Sequence, residues 1–220
     1  VGQEALPPRL SDFDLEQFFP LLSDDVAAIR AQFRSDHRLP AALMLLFMRV
    51  AGRPLDGFNV LPRSLLRKTA EALAVSPPSI ASLRSIYKRR QTLSKHQLWA
   101  KTYLGLRELE PDDEAALTAT LLAQAADASH SDDLVQSACQ WLFTRRILIP
   151  GSRRLQDWAR GAFAAVEAQI LSEVTTHPNM PTEAKVTLFT RLGHWYSEKI
   201  ARPDMGLPCF QAVLGVDDVI

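Results

Sequence analysis

Residues 64–87, with the sequence SLLRKTAEALAVSPPSIASLRSIY, hold the clearest structural pattern in this 220-residue chain. Apolar residues recur at helical spacing on both sides of a Ser-Pro-Pro break. The pattern predicts one helix at Arg63–Ala74 and a second helix at about Pro78–Arg90. Together these two helices predict a helix-turn-helix unit at about 64–90.

The residue types in this stretch match what a helix-turn-helix unit requires. The first helix needs a small residue where the second helix crosses it, and Ala70 supplies one. Ala74 is the small residue at the turn, although a glycine would adopt a left-handed conformation at lower cost. Ile80 and Leu83 are apolar anchors three residues apart on the second helix. A plain helical hairpin with a solvated basic face is the alternative interpretation.

The rest of the chain also shows helical periodicity, and we find no alternating polar and apolar run that would predict a strand. We expect an all-α, multi-helical fold with about nine helices joined by short loops. Pro40 is predicted to be the first residue of a buried helix at 41–50. Residues 91–93 are predicted to form a turn between two helices.

Composition divides the chain into three regions. Residues 1–108 are expected to form a basic helical DNA-binding domain, residues 109–180 a second helical domain, and residues 181–220 an atypical helical tail. The first boundary is placed where the composition changes abruptly from basic to acidic.

Formal charge is sorted along the sequence. The chain has 25 basic and 25 acidic residues, so its formal net charge is zero. Residues 37–107 nevertheless contain thirteen Lys and Arg and only two acidic residues, a net charge of +11, whereas residues 108–144 carry −8. A neutral protein can therefore present one strongly positive surface, for which a polyanion is the expected ligand.

The second helix of the predicted unit would expose hydroxyl groups and cations. Small hydroxyl side chains allow close approach to a DNA groove, and basic side chains suit guanine edges or phosphates. The candidate DNA contacts on this helix are Ser79, Ser82, Arg84, Ser85, Lys88 and Arg89. The residues expected to continue the positive stripe along the DNA backbone are Arg90, Lys95, His96 and Lys101.

A second, smaller basic group flanks the break at Pro150 and Gly151. Its candidate DNA contacts are Arg145, Arg146, Arg153 and Arg154. Backbone amides at the start of the following helix could add a phosphate site. Surface ion pairs with the acidic segment 108–144 explain the same residues equally well, and the sequence leaves both interpretations open.

Patterns typical of catalysis, metal binding and cofactor binding are absent from the sequence. The acidic run at 112–114 stands where carboxylates stabilise the start of a helix. There is no glycine-rich phosphate loop and no nucleophile elbow. The longest apolar run is too short to cross a bilayer, and the two cysteines fit free thiols in a reducing cytosol. We therefore predict no metal, no cofactor and no membrane partner.

Several sequence blocks, taken in order, resemble the N-terminal region of Tn3-family transposases. The blocks are Leu39–Arg53 (LPAALMLLFMRVAGR), Leu73–Val75, Tyr87 with Arg90, Thr92 and His96, Tyr103–Arg107 (YLGLR) and Arg145–Gly151 (RRILIPG). The resemblance extends from about Leu10 to Val174, and residues 181–220 do not match the next segment of that family.

The resemblance implies sequence-specific binding of duplex DNA at the terminal inverted repeats of a transposon. It also implies that DNA cleavage and strand transfer belong to a C-terminal catalytic domain that this chain lacks. We therefore expect a non-catalytic, cytoplasmic, nucleoid-associated protein whose partners are double-stranded DNA and other transposase copies. Two alternatives stay open: a helical protein-interaction or assembly module, and a truncated DNA-binding regulator of transposition.

Overall fold

A computed structural model describes residues 1–56, 60–128, 130–176, 181–199 and 203–217, and its regular structure in these ranges is helical. The predicted all-α fold is confirmed, but the predicted helix count was too low, since the described residues form eleven α-helices. The helices are α1 (Asp12–Phe18), α2 (Ser23–Gln32), α3 (Ser35–Ala51), α4 (Arg63–Leu73), α5 (Ile80–Tyr87), α6 (Arg90–Tyr103), α7 (Pro111–Ala125), α8 (Ser131–Thr144), α9 (Ser152–Thr176), α10 (Thr182–His194) and α11 (Pro203–Asp217), with a π-helical turn at Trp195–Lys199.

The chain divides into two compact units that interleave in sequence. The first unit contains residues 1–109 and 142–150, and the second contains residues 110–141 and 151–220. The first unit therefore carries α1–α6 and the whole of the basic stretch, residues 37–107.

Helix α3 forms the centre of the first unit. All of its residues from Leu39 to Met48 are buried, and α2, α4 and α6 pack against it. Because burying a large apolar side chain contributes about 1.5–3 kcal/mol, this continuous apolar segment dominates the stability of the unit. Helices α4 and α6 are thus fixed on a common support.

The predicted start of α3 at Pro40 was wrong. Arg34 is the extended N-cap residue, and the helix begins at Ser35, so Pro40 lies inside it. A proline within a helix removes one backbone hydrogen bond because it has no N–H. The helix tolerates this loss near its N-terminus, where Asp36 in the first turn also favours the helix dipole.

The predicted boundary between the helix at about Pro78–Arg90 and the helix that follows it was also wrong. Helix α5 ends at Tyr87, and α6 begins at Arg90, so residues 91–93 are helical instead of forming a turn. Arg89 alone leaves helical conformation, with φ −85° and ψ 103°. The chain turns on this residue without a glycine or a proline.

The helix-turn-helix unit stays a prediction. Ala74 adopts the left-handed conformation expected at its turn, with φ 54° and ψ 46°, and ends α4. The connection from Ala74 to Ser79 is longer than the usual three or four residues. The main helix partners of α4 are α3 and α1, whereas the main partner of α5 is α6.

Residues 142–150 complete the first unit by pairing with two separate parts of its backbone. Arg107 N donates to Arg146 O, and Leu148 N donates to Arg107 O, each at 2.9 Å. Ile149 N donates to the carbonyl of Gly52, also at 2.9 Å. Gly52 has φ 74°, a conformation that strains any other residue, and a Cβ there would lie 2.8 Å from Ile149 Cδ1, so that side chain would also have to shift.

The second unit is built around contacts of α9 with α7 and α10, and of α10 with α11. Helix α7 buries Leu117, Leu121 and Ala125, which recur once per helical turn. Glu110 and Asp113 form a capping box at the N-terminus of α7. Asp113, from the acidic run at 112–114, therefore stabilises the start of a helix, as its position in the sequence indicated.

Candidate nucleic-acid interface

Helix α5 begins with a hydroxyl network. Ser79 is its N-cap residue, and its Oγ accepts a hydrogen bond from Ser82 N at 3.1 Å. The Ser79 and Ser82 hydroxyls lie 2.9 Å apart, and Ser85 Oγ donates to Ser82 O at 2.8 Å. All three serines are exposed, so this face of α5 offers small polar side chains to a ligand.

The junction of α5 and α6 carries the densest group of exposed cations in the first unit. Lys88 is the C-cap residue of α5, Arg89 is the N-cap residue of α6, and Arg90 is its first residue. No carboxylate pairs with these side chains or with exposed Lys95 in the part of the chain that the structure describes. Arg84 is exposed one turn before the junction. The positive charge of Lys88, Arg89, Arg90 and Lys95 is therefore available to an outside anion.

The helix N-termini of this region lack the acidic residues that the helix dipole favours. Helices α4, α5 and α6 have no acidic residue in the first turn, whereas α1, α2, α3, α7 and α8 each have at least one. Placing Arg89 and Arg90 at the positive end of α6 is locally unfavourable. An anion bound at this terminus would remove that cost.

Lys101 differs from the other predicted contacts on α6. Its Nζ lies 2.7 Å from Glu108 Oε1, and its side chain is partly buried. Since an ion pair already offsets its charge, Lys101 contributes less to the positive surface than Lys95 does.

The second basic group is divided between the two units. Exposed Arg145 and Arg146 belong to the first unit, where Arg146 Nη1 donates to Leu104 O at 3.2 Å. Exposed Arg153 and Arg154 belong to the second unit. The four arginines therefore do not form one cluster within a single unit.

Arg154 takes part in a local contact of the second unit. Its Nη2 lies 2.8 Å from Glu114 Oε2, and its guanidinium lies 5.0 Å from the centroid of the Trp158 ring. Trp158 Nε1 donates to the same carboxylate at 2.9 Å, and the hydrogen bonds from Trp158 and Arg154 lower the pKa of Glu114. For Arg154, the structure contains the ion pair with the acidic segment that the sequence left as an alternative.

His96 is misplaced among the predicted backbone contacts. Its side chain is only 1% exposed and lies among Phe33, His37 and Tyr87, with the Phe33 ring centroid 4.9 Å away. Its Nδ1 lies 3.0 Å from Tyr87 Oη, which in turn donates to Pro40 O at 3.0 Å. We remove His96 from the surface contacts because it is a core residue.

Burial, with smaller contributions from the charges of His37 and Lys95, lowers the pKa of His96 to about 4. The unfolded chain, with an ordinary histidine pKa near 6.5, then binds the proton more readily than the folded protein. We expect the free energy of unfolding to fall by about 2–3 kcal/mol as the pH is lowered from 6.5 to 4 because of this residue. Urea unfolding at a series of pH values measures this loss.

His96→Asn is the matched variant for this measurement, because its side-chain amide can still donate towards Tyr87 and does not titrate. The variant should be less stable at pH 7 and should lose less stability on acidification than the original protein. Equal pH profiles for the two proteins would contradict the assignment of the pKa shift to His96.

Arg34 is an exposed cation that the charge pattern of the sequence did not reveal. It is the N-cap residue of α3 and lines the same cleft as Lys95. Residues 1–36 have a net charge of −4, so counting charge by segment hid a cation that folds back beside the basic stretch. No signal in the sequence indicated this residue, because the buried helix was predicted to begin at Pro40 and not at Ser35.

The described residues thus define an all-α protein whose candidate site is a cationic helix junction. In these residues there is no group of three potential metal ligands, and no helix is both long and apolar enough to cross a bilayer. Residues 4–162 match the family described as "Domain of unknown function (DUF4158)", and the chain belongs to this family.

One curated relative of the chain is a transposase. The chain is 32% identical over 169 residues to "Transposase for insertion sequence element IS1071 in transposon Tn5271" from Comamonas testosteroni. The aligned region covers 77% of this chain and 17% of that transposase. The predicted relation to a transposase N-terminal region is confirmed, and the chain corresponds to a small part of the length of its relative.

Proposed function

We propose that the first unit binds duplex DNA at the terminal inverted repeats of a transposon, as a non-catalytic part of a transposase. The observation that carries this proposal is the junction of α5 and α6, where Lys88, Arg89 and Arg90 are exposed without a partner carboxylate in the described residues. Duplex DNA offers closely spaced phosphates, and releasing its counterions favours the binding of clustered cations.

The exposed face of α5 is the surface that we assign to the bases. Ser82 and Ser85 permit close approach to the major groove, and Arg84 can reach a guanine edge or a phosphate. Lys88 and Arg89 at the end of the helix contact the same groove or its rim, and Arg90 and Lys95 hold the backbone. Phosphate contacts fix the register of the protein, whereas contacts from α5 supply the sequence preference.

The remaining predicted contacts have supporting roles. Lys101 can contact DNA only if a phosphate replaces Glu108 as its ion-pair partner. Arg154 can do so only if a phosphate replaces Glu114 in the same way. Arg145 and Arg146 in the first unit, and Arg153 in the second, are assigned to a neighbouring stretch of backbone.

Fluorescence anisotropy with two labelled duplexes tests the proposal. One duplex carries the terminal inverted repeat of the element that encodes the chain, and the other has the same composition in scrambled order. We expect the inverted repeat to bind at least tenfold more tightly at 0.1 M salt, with both affinities falling as salt is raised. Equal affinities would contradict specific binding, and no binding at low salt would contradict DNA binding altogether.

An assembly role has its own structural support on α1. Phe13 and Phe18 are 69% and 49% exposed, so α1 presents apolar side chains that a second copy of the chain could cover. If this surface joined chain copies, light scattering would detect oligomers that form without DNA and persist in high salt. A monomer under these conditions would exclude assembly by α1 alone.

A further inference from the structure

A cleft of about 440 Å³ lies in the first unit between the start of α3 and the first two turns of α6. Seven of its wall residues carry side-chain groups that can donate hydrogen bonds: Gln32, Arg34, His37, Gln91, Thr92, Lys95 and His96. None of the residues described in its wall is acidic. The cleft is therefore a concave surface rich in donors and free of carboxylates in its described lining.

Two cations converge on this cleft from different helices. Arg34 comes from the N-cap of α3, and Lys95 comes from the second turn of α6. Neither forms an ion pair with a carboxylate in the described residues. The nearest acidic neighbour in the sequence, Asp36, is exposed and lies 3.7 Å from His37 Nε2, outside the wall. The electrostatic preference of the cleft is for an anion.

One imidazole nitrogen of the cleft residues lacks a partner. His37 Nδ1 is buried and has no hydrogen-bond partner, which is costly unless a ligand or a water molecule supplies one. The second imidazole, that of His96, is almost fully buried, and its Nδ1 lies next to Tyr87 Oη. An anion in the cleft would favour the protonated form of either ring, in which each ring nitrogen donates.

We propose that this cleft binds a phosphate group, and that in the DNA complex it holds one backbone phosphate beside the junction of α5 and α6. Arg34 and Lys95 supply the charge, while Thr92, Gln91 and His37 supply directional hydrogen bonds. The second part rests on the proposed function, whereas the first part concerns the cleft alone. Arg34 then becomes a DNA contact that is not among the contact residues predicted from the sequence.

Inorganic phosphate is the direct probe of the cleft. Histidine-selective NMR of the whole chain, titrated with phosphate at constant ionic strength, should show saturable shifts of the His37 and His96 ring signals. Arg34→Ala should weaken this binding about fivefold or more, because a charge-assisted contact is lost. Arg67→Ala removes an equal charge from the exposed face of α4, away from the cleft, and should leave phosphate binding unchanged. Absent shifts, or equal effects of the two variants, would overturn the phosphate site.

DNA affinity of the same variants tests the second part. Arg34→Ala should weaken duplex binding roughly three- to tenfold at 0.1 M salt and lower the salt slope by about one, while Arg67→Ala should do neither. Unchanged DNA binding by Arg34→Ala would overturn the backbone contact, even where the original protein binds its inverted repeat. If the original protein binds phosphate but no DNA, the proposed function fails and the phosphate site stands.

Discussion

Replacing Lys88, Arg89 and Arg90 together by alanine should weaken DNA binding roughly 10²–10³-fold at 0.1 M salt. The binding constant falls with salt concentration to the power of about 0.9 for each phosphate contact. At 0.1 M salt one contact therefore contributes a factor of about 8, and three contacts contribute a factor of about 500. The slope of log affinity against log salt should also fall by about three. Fluorescence anisotropy across a salt series measures both quantities.

The same substitutions should leave the fold intact or slightly more stable. None of the three side chains makes a cap hydrogen bond, and two of them stand at the positive end of α6, where cations are unfavourable. A rise in the unfolding midpoint together with a loss of DNA affinity would show that these three cations favour DNA binding and lower the stability of the folded protein.

A triple variant of Arg63, Arg67 and Lys68 is the matched control. It removes the same charge from α4, where Arg67 and Lys68 already lie near Glu71 and Glu16. We expect its affinity to fall less than tenfold. Equal losses in the two triple variants would mean that a diffuse positive field, and not the junction of α5 and α6, attracts DNA.

Asp25→Ala should lower the free energy of unfolding by about 3–4 kcal/mol, a large effect for the exchange of one polar side chain. Asp25 is 2% exposed, and Arg49 donates to both of its oxygens, at 2.6 and 3.0 Å. Leu22 N and Tyr103 Oη also donate to it, at 2.9 and 3.0 Å. The exchange leaves Arg49 without its carboxylate and removes the hydrogen bonds by which Asp25 joins α2 to α3 and α6.

Two further variants show whether the buried network is responsible. Tyr103→Phe removes a single hydrogen bond and should cost about 1 kcal/mol. Glu71→Ala removes an exposed i,i+4 pair with Arg67 and should change stability by less than about 0.5 kcal/mol. Urea unfolding of the three variants gives the comparison. An Asp25→Ala effect as small as that of Glu71→Ala would contradict the role assigned to the network.

Asp25 should also contribute to the loss of stability in acid. Burial would raise the pKa of this carboxyl, but hydrogen bonds from Arg49, Leu22 and Tyr103, together with the Arg49 charge, hold it below its usual value. The stabilisation is therefore complete at neutral pH and is lost as the pH falls through the lowered pKa.

Much of the fold could be predicted from local sequence because most helices here have strong periodicity and clear start signals. Ala74 is the clearest case: a small residue between two apolar patterns marked the turn, and the structure places it in left-handed conformation. The break at Arg89 had no such signal. Neither a glycine nor a proline is present there, and the packing of α5 on α6 and of α6 on α3 determines where the helix ends.

The candidate site was harder to predict because exposure depends on the rest of the fold. His96 belongs to the basic stretch and was predicted to be a backbone contact, yet Phe33 at the end of α2 and Tyr87 on α5 pack against it. Arg34 shows the opposite case, since it lies in an acidic segment and reaches the cleft of Lys95 only after α3 and α6 have packed. Charge along a chain does not reveal which charges meet in space.

The interleaving of the two units has a consequence for synthesis of the protein. The first unit cannot close over Gly52 and Arg107 until the residues up to 150 are made, about forty residues after its other helices are complete. At about 5–20 residues per second, this delay lasts roughly 2–8 s. During this interval the nascent chain has its cationic helices but lacks the buried side chains of Ile147 and Ile149. The first unit therefore stays incompletely folded on the ribosome until these residues have been added.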